Sequence, residues 1–254
     1  MRYALPRATT LTLRAGDAMI ACRLRRSPRA RRLRITVGPT GVEVVAPVRT
    51  AEIDIRDFVE RYRGWIADKT AALRRTLNAH PGSAGLVDGS QVLVRGRPVT
   101  LTIVPTAAAR TEVIERDGLR VRLRAGVAEA EREAVVEMAL QRWLRGQAQL
   151  DARAHAARHG PAHGLVPQAI RVKQQQHLWG SCTSRGVVNL NWRLILAPPP
   201  VFEYVVVHEL CHLRVRNHQP EFWQLVAEVL PGYGPHRRWL KDHGHLLTLR
   251  PARI

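Results

Sequence analysis

Apolar and polar positions alternate over residues 32–37: Leu33, Ile35 and Val37 fall on one face, Arg32, Arg34 and Thr36 on the other. A period of two marks a half-buried strand. Gly38-Pro39-Thr40-Gly41 turns the chain and residues 42–46 return, so residues 22–47 read as a small antiparallel meander. The period then changes. Ile55, Phe58, Val59, Tyr62, Ile66, Leu73 and Leu77 recur every three or four positions, which predicts one helix over residues 51–78, capped by Thr50 and ended by His80-Pro81-Gly82-Ser83. Alternation resumes over residues 91–123, with Asp117-Gly118 as a hairpin turn. A second long helix follows over residues 129–159, for which Val135, Met138, Trp143, Leu144 and Leu150 form the expected inward face; His159-Gly160-Pro161 closes it. Strands are expected near 169–172 and 187–194, then a helix opened by Pro198-Pro199-Pro200 and running to about 216, then short helices over 220–230 and 235–245. No internal repeat is legible. The pattern predicts an α+β fold: an N-terminal antiparallel β-rich lobe with one long helix at residues 20–125, and a second lobe at 126–246.

The chain has 254 residues, 45% hydrophobic and 24% charged, enough to bury a core and unlike a disordered tail. No run of about 18 apolar residues occurs, so no bilayer-spanning helix or membrane partner is expected. Residues 1–10 carry Arg2 and Arg7 without the apolar stretch of a secretory leader. Three scattered cysteines, Cys22, Cys182 and Cys211, are too few and too odd in number for a disulfide framework. A cytoplasmic location is the expectation. The formal charge is +19, from 37 Arg and three Lys against 21 acids, and it draws anions whatever its origin. Seven of the arginines, Arg23, Arg25, Arg26, Arg29, Arg31, Arg32 and Arg34, sit in the first meander, a candidate surface for non-specific nucleic acid. A bias toward Arg over Lys also follows from GC-rich codons, so charge alone names no function.

Chemistry enters at His208-Glu209-Leu210-Cys211-His212. Positions four apart share a helical face, so both imidazoles can bind one Zn²⁺ while Glu209, beside the first, serves as general base. A catalytic zinc site needs three protein ligands and an open position, and His218 lies ten residues after His208. For it to reach the same ion the helix must stop soon after His212, and Asn217 tolerates the left-handed conformation of such a stop. The three-histidine pattern arises by chance in on the order of one in a thousand chains of this composition. Glu221 and Glu228 are alternative third ligands, less favoured by spacing. His236, His243 and His245 read as packing or solvent-facing groups, Cys211 as core, Cys182 as a buried thiol, and Trp223 and Trp239 as packing beneath the site. The strand at 187–194 is a candidate edge for an extended peptide, with Asn189 and Asn191 as substrate-strand residues. Tyr204 and Tyr233 are weak candidates for stabilising an oxyanion.

The run Val205-Val206-Val207-His208-Glu209-Leu210-Cys211-His212-Leu213, with Asn217-His218 and Phe222-Trp223, resembles the YgjP-like metallopeptidases, relatives of the SprT-like and WLM peptidases. Trp179-Gly180-Ser181-Cys182, Asn189-Leu190-Asn191 and Ala197-Pro198-Pro199 resemble the segment that precedes the zinc helix there, and the similarity spans about residues 20–245. It implies a zincin-like second lobe, Zn²⁺ on His208, His212 and His218, Glu209 as catalytic base, and a protein or peptide substrate. Leu178 stands where the family often has a basic residue. Val215 stands where metzincins of the same ligand spacing carry Gly, which argues against that group. The competing reading is a metal-dependent nuclease resembling YbeY, in which the residue after the first histidine resembles Gly rather than Glu209, or a nucleic-acid-associated zinc protein using the basic lobe, which leaves Glu209 without a role.

Overall fold

The turn after residue 37 does build a hairpin: β3 (Arg34–Gly38) pairs antiparallel with β4 (Gly41–Pro47). β4 then lies parallel to β2 (Ala18–Ser27), itself antiparallel to β1 (Thr9–Ala15), giving the order β1-β2-β4-β3. The simple meander is corrected at that one parallel ladder. Burial explains it: Val42, Val44, Val45 and Ala46 are all buried and suit a central strand, whereas β3 is apolar on one face only and takes the edge. The expected single helix is two, α1 (Glu52–Arg61) and α2 (Arg63–Asn78), broken at Tyr62 where φ is −97° and ψ 12°. Ala51 rather than Thr50 stands at the cap, without a side-chain bond. Ile55, Val59 and Ile66 close over the sheet core of Leu13, Cys22, Leu24, Val42 and Val44.

The structure is a computed structural model and describes residues 9–15, 18–175 and 178–251; most of the leader reading over residues 1–10 lies outside them. The chain divides into one unit up to Ser83, with the residues from Pro251 onward, and another at Ala84–Arg250. The second unit opens with β5 (Gln91–Val94), β6 (Arg97–Thr106), β7 (Glu112–Glu115) and β8 (Leu119–Arg124), in the order β5-β6-β8-β7. β6 and β8 are parallel and the outer ladders antiparallel, the topology of the first sheet over again. Both sheets lead into helix, the second into α3 (Glu129–His159). A four-strand-plus-helix unit thus recurs where no repeat is legible in the sequence.

The division falls at 83/84 and not near 125 because the second sheet is bonded to elements later in the chain. Arg95 and Gly96, with φ of 49° and 76°, turn β5 into β6, and their N–H groups donate to the carbonyls of Ile195 and Leu196. The Arg95 guanidinium grips both carboxylate oxygens of Asp151 on α3 at 2.9 Å. On α3 the buried stripe is Val136, Ala139, Leu140, Leu144, Ala148, Ala152 and Ala156, while Met138 and Leu150 are more than half exposed. The expected inward face is wrong at those two positions, since small alanines four apart, rather than the largest residues, let neighbouring elements approach.

A three-stranded sheet supports the site: β9 (Ala169–Lys173), β10 (Gly180–Cys182) and β11 (Val187–Asn191), in the order β10-β11-β9. A 3-10 turn over Trp192–Leu196 leads into α4 (Pro199–Cys211), with proline in its first turn where no N–H bond is lost. α4 is mostly apolar, with nine residues buried, because α3, α5 (Pro220–Val229), α6 (Gly234–His243) and the sheet pack around it. It stops at Cys211, short of residue 216. Among the described residues no helix is long and apolar enough to cross a membrane.

Candidate metal centre

His208 and Glu209 stand in the last turn of α4 and His212 at its C-cap. The reversal that brings His218 back does not use a left-handed Asn217, since Asn217 is not among the described residues with positive φ. Three backbone bonds close it instead, from Leu213, Arg214 and Val215 to Leu210 and Cys211. The His212 Nδ1 lies 2.9 Å from the Val215 carbonyl, and Asn217 Oδ1 accepts from the Gln219 N–H at 3.1 Å. The three imidazoles converge, with one nitrogen of each within 4.8 Å of the others, the single such group of three among the described residues. His208 Nε2 and His218 Nε2 are 3.1 Å apart.

These residues fit a divalent metal with nitrogen affinity. The bond from His212 Nδ1 to a carbonyl fixes its tautomer and leaves Nε2 with a free lone pair. Burial, helped by the neighbouring His212 and His218, drives the His208 imidazole down to about 3, and burial also lowers His212. Both are therefore neutral, the form that binds metal. Glu209 is buried, its Oε2 has no partner among the described residues, and burial pushes its carboxyl up to about 8. His208 Nδ1 is likewise unpartnered, one orienting bond fewer than metal-binding histidines usually have.

The surroundings contain signals that the sequence reading missed. Gly180 presses on Glu209: a Cβ placed there would stand 2.5 Å from Oε1 and 2.6 Å from Cγ. Trp223 donates its indole N–H to the His218 carbonyl at 3.1 Å, and its ring lies 5.7 Å from that of His218. The Arg237 guanidinium sits over Trp223 at 4.1 Å from the ring centroid. Tyr233 stacks between Tyr204 and Trp223, and burial raises the Tyr204 hydroxyl to about 12.

Other expectations separate. Glu221 and Glu228 are exposed and stand outside the cluster, and His236, His243 and His245 also take no part in it. His243 stacks on Trp239. Cys211 is fully buried, with its thiol pushed up to about 12 by burial; Cys182 is half-buried beside the Arg216 guanidinium at 3.7 Å. The substrate-strand expectation is corrected. β11 is paired on both sides and has no free edge, and Asn189 and Asn191 are buried in it. Asn189 donates to Ser181 Oγ, and Asn191 donates to the carbonyls of Gln175 and Leu178 while accepting from the Arg193 N–H. These amides hold the sheet and the approach to β10. The edge strands are β9 and β10; the Gln149 amide bonds the Ile170 carbonyl and the Val172 N–H on the outer side of β9, which leaves β10, too short in Trp-Gly-Ser-Cys to show a period of two.

No curated protein matches the chain. Among solved structures it is similar to the metallopeptidase zymogen of Pyrococcus abyssi abylysin, at 18% identity and a TM-score of 0.32, over 41% of this chain and 97% of that one. The family model described as YgjP-like, metallopeptidase domain, matches residues 31–243, from the loop before β3 to the last residue of α6. A match of that extent, with the histidine cluster inside it, makes the chain a member of the YgjP-like metallopeptidase family.

Proposed function

We propose that the protein is a zinc-dependent peptidase in which His208, His212 and His218 hold the metal and Glu209 is the general base. The observation that carries this reading is the convergence of three imidazoles beside a buried, unpartnered carboxylate. Three nitrogen donors with an open fourth position are the usual donor set of catalytic zinc. Bound there, zinc supplies Lewis acidity, drawing the pKa of water toward about 7 and polarising a carbonyl oxygen. Glu209 takes the proton on its free Oε2 and returns it to the leaving amine. Its burial favours holding that proton between the two steps, while the positive charge of a bound metal would favour the ionised carboxylate that accepts it.

An extended substrate pairs with β10 in place of β11. The bonds Asn191 N–H to Trp179 O and Thr183 N–H to Val187 O set the ladder phase, so the Gly180 and Cys182 backbone groups point away from β11. Gly180 touches Glu209, so a strand added there runs past the base. The nuclease alternative gives Glu209 no task. A reducing, cytoplasmic setting belongs to the reading, in keeping with three free thiols.

Metal analysis with casein cleavage tests it. Purified protein is expected to carry one zinc per chain, lose activity to a chelator and regain it with Zn²⁺. Cleavage that survives complete metal removal overturns the reading.

A further inference from the structure

A cavity of about 330 Å³ opens beside the start of β10, lined by Trp179, Asn191, Arg193, Lys241, His245 and Thr248 among others. That volume is at the small end of the roughly 300–1,000 Å³ of ligand sites, the scale of a side chain or chain end. No carboxylate lines it. Arg193 and Lys241 bring two positive charges, and neither has an ion-pair partner among the described residues. The Arg193 Nε is buried with no hydrogen-bond partner among the described residues. Arg193 as a whole is only half-buried and lines the cavity, and a carboxylate bound beside it and Lys241 gains charge-assisted hydrogen bonds.

Position ties this cavity to the metal centre. Trp179 forms part of its wall, and the next residue is Gly180, which abuts Glu209. The Trp179 ring rests on Gly244, where an added Cβ would stand 2.9 Å from it, so the wall is fixed. α6 makes the second link. Arg237 stacks over Trp223 beside the histidines, and Lys241, four residues on along the same helix face, lines the cavity. A peptide lying along the free edge of β10 therefore reaches this cavity within a residue or two of the base, at about 3.3 Å per residue.

We propose that the cavity is a carboxylate subsite: it takes an acidic side chain or the terminal carboxylate of a peptide laid along β10, an assignment that rests on the peptidase reading for its ligand. Three sets of fluorescein-labelled ten-residue alanine peptides test it, with binding to zinc-loaded, full-length Glu209→Gln protein followed by anisotropy. The first set carries one Glu scanned through the sequence with an amidated end, the second Gln in its place, the third Gln with a free C-terminal carboxylate.

At one or two positions the Glu peptides are expected to bind about tenfold tighter than their Gln partners, or the free-acid set tighter than the amides. The first result assigns a side chain and the second a chain end. Arg193→Met should abolish the preference, and so should Lys241→Met at an exposed position where folding is not at risk. Equal affinity across the three sets overturns the subsite, as does a preference that survives both substitutions. Inorganic phosphate that displaces the peptide at lower concentration than acetate overturns the carboxylate assignment. Failure of wild-type protein to cleave casein strikes the peptidase reading, whereas a missing anisotropy difference beside normal cleavage strikes the subsite alone.

Discussion

One methyl group decides the geometry at Gly180. A Cβ there would stand 2.5 Å from Oε1, 2.6 Å from Cγ and 2.7 Å from Cδ of Glu209, closer than real contacts come, so the carboxylate must move. Gly180→Ala is expected to lower kcat/KM about 100-fold, the usual cost of misplacing a catalytic group by an ångström, with zinc content retained. Kinetics with metal analysis on the purified variant checks this; undiminished turnover contradicts the role of Glu209. The clustering of His208, His212 and His218 was legible in sequence because helical spacing and metal chemistry are local. Gly180 was not, since a glycine before Ser181 and Cys182 reads as a turn and its close approach is to a residue 29 positions away. Trp223 was read as packing, and its bond to the His218 carbonyl depends on where α5 begins.

Between elements, α3 and α4 are joined by a polar cluster in an otherwise apolar contact. Glu203 on α4 lies 2.8 Å from His159 Nε2, 3.2 Å from Arg158 and 3.6 Å from His155 Nδ1. Burial pushes the Glu203 carboxyl up, but the His159 hydrogen bond and the charges of His155, His159 and Arg158 outweigh it, leaving the carboxyl below its ordinary value. A carboxylate with a depressed folded-state pKa stabilises above its unfolded value, and that contribution is lost as pH falls through the folded one. Glu203→Gln should therefore cost about 1–2 kcal/mol at neutral pH and nearly nothing once pH drops below the ordinary glutamate range. Thermal melts of both proteins from pH 7 to 3 measure this, and a difference that stays constant contradicts it. Long, strongly periodic elements such as α3 were legible to the residue, whereas the pairing of β2 with β4 and the central place of β11 depend on long-range partners that no local period encodes.

Across the whole molecule, the same sheet topology occurs twice, and only the second copy shares a unit with the histidines. The +19 charge has its densest stretch in the first copy, where Arg25 pairs with Glu43, Arg23 and Arg34 lie within the field of the same carboxylate, and Arg26 donates to the carbonyls of Val48 and Thr50, so that Arg29, Arg31 and Arg32 are the arginines most open to an outside anion. We propose this face as a weak, non-specific nucleic-acid surface. Duplex DNA should bind at low salt and be released steeply as salt rises, and Arg31→Ala with Arg32→Ala should flatten the slope by about two phosphate contacts. An unchanged salt slope in that double variant contradicts it. The central claim concerns four residues that add little to the charge. It is tested most directly by kcat/KM on casein, measured for wild type and Glu209→Gln at equal zinc content. Loss of the general base should lower the rate by about 10²–10⁴ with one zinc still bound per chain, and equal rates in the two proteins would contradict the assignment.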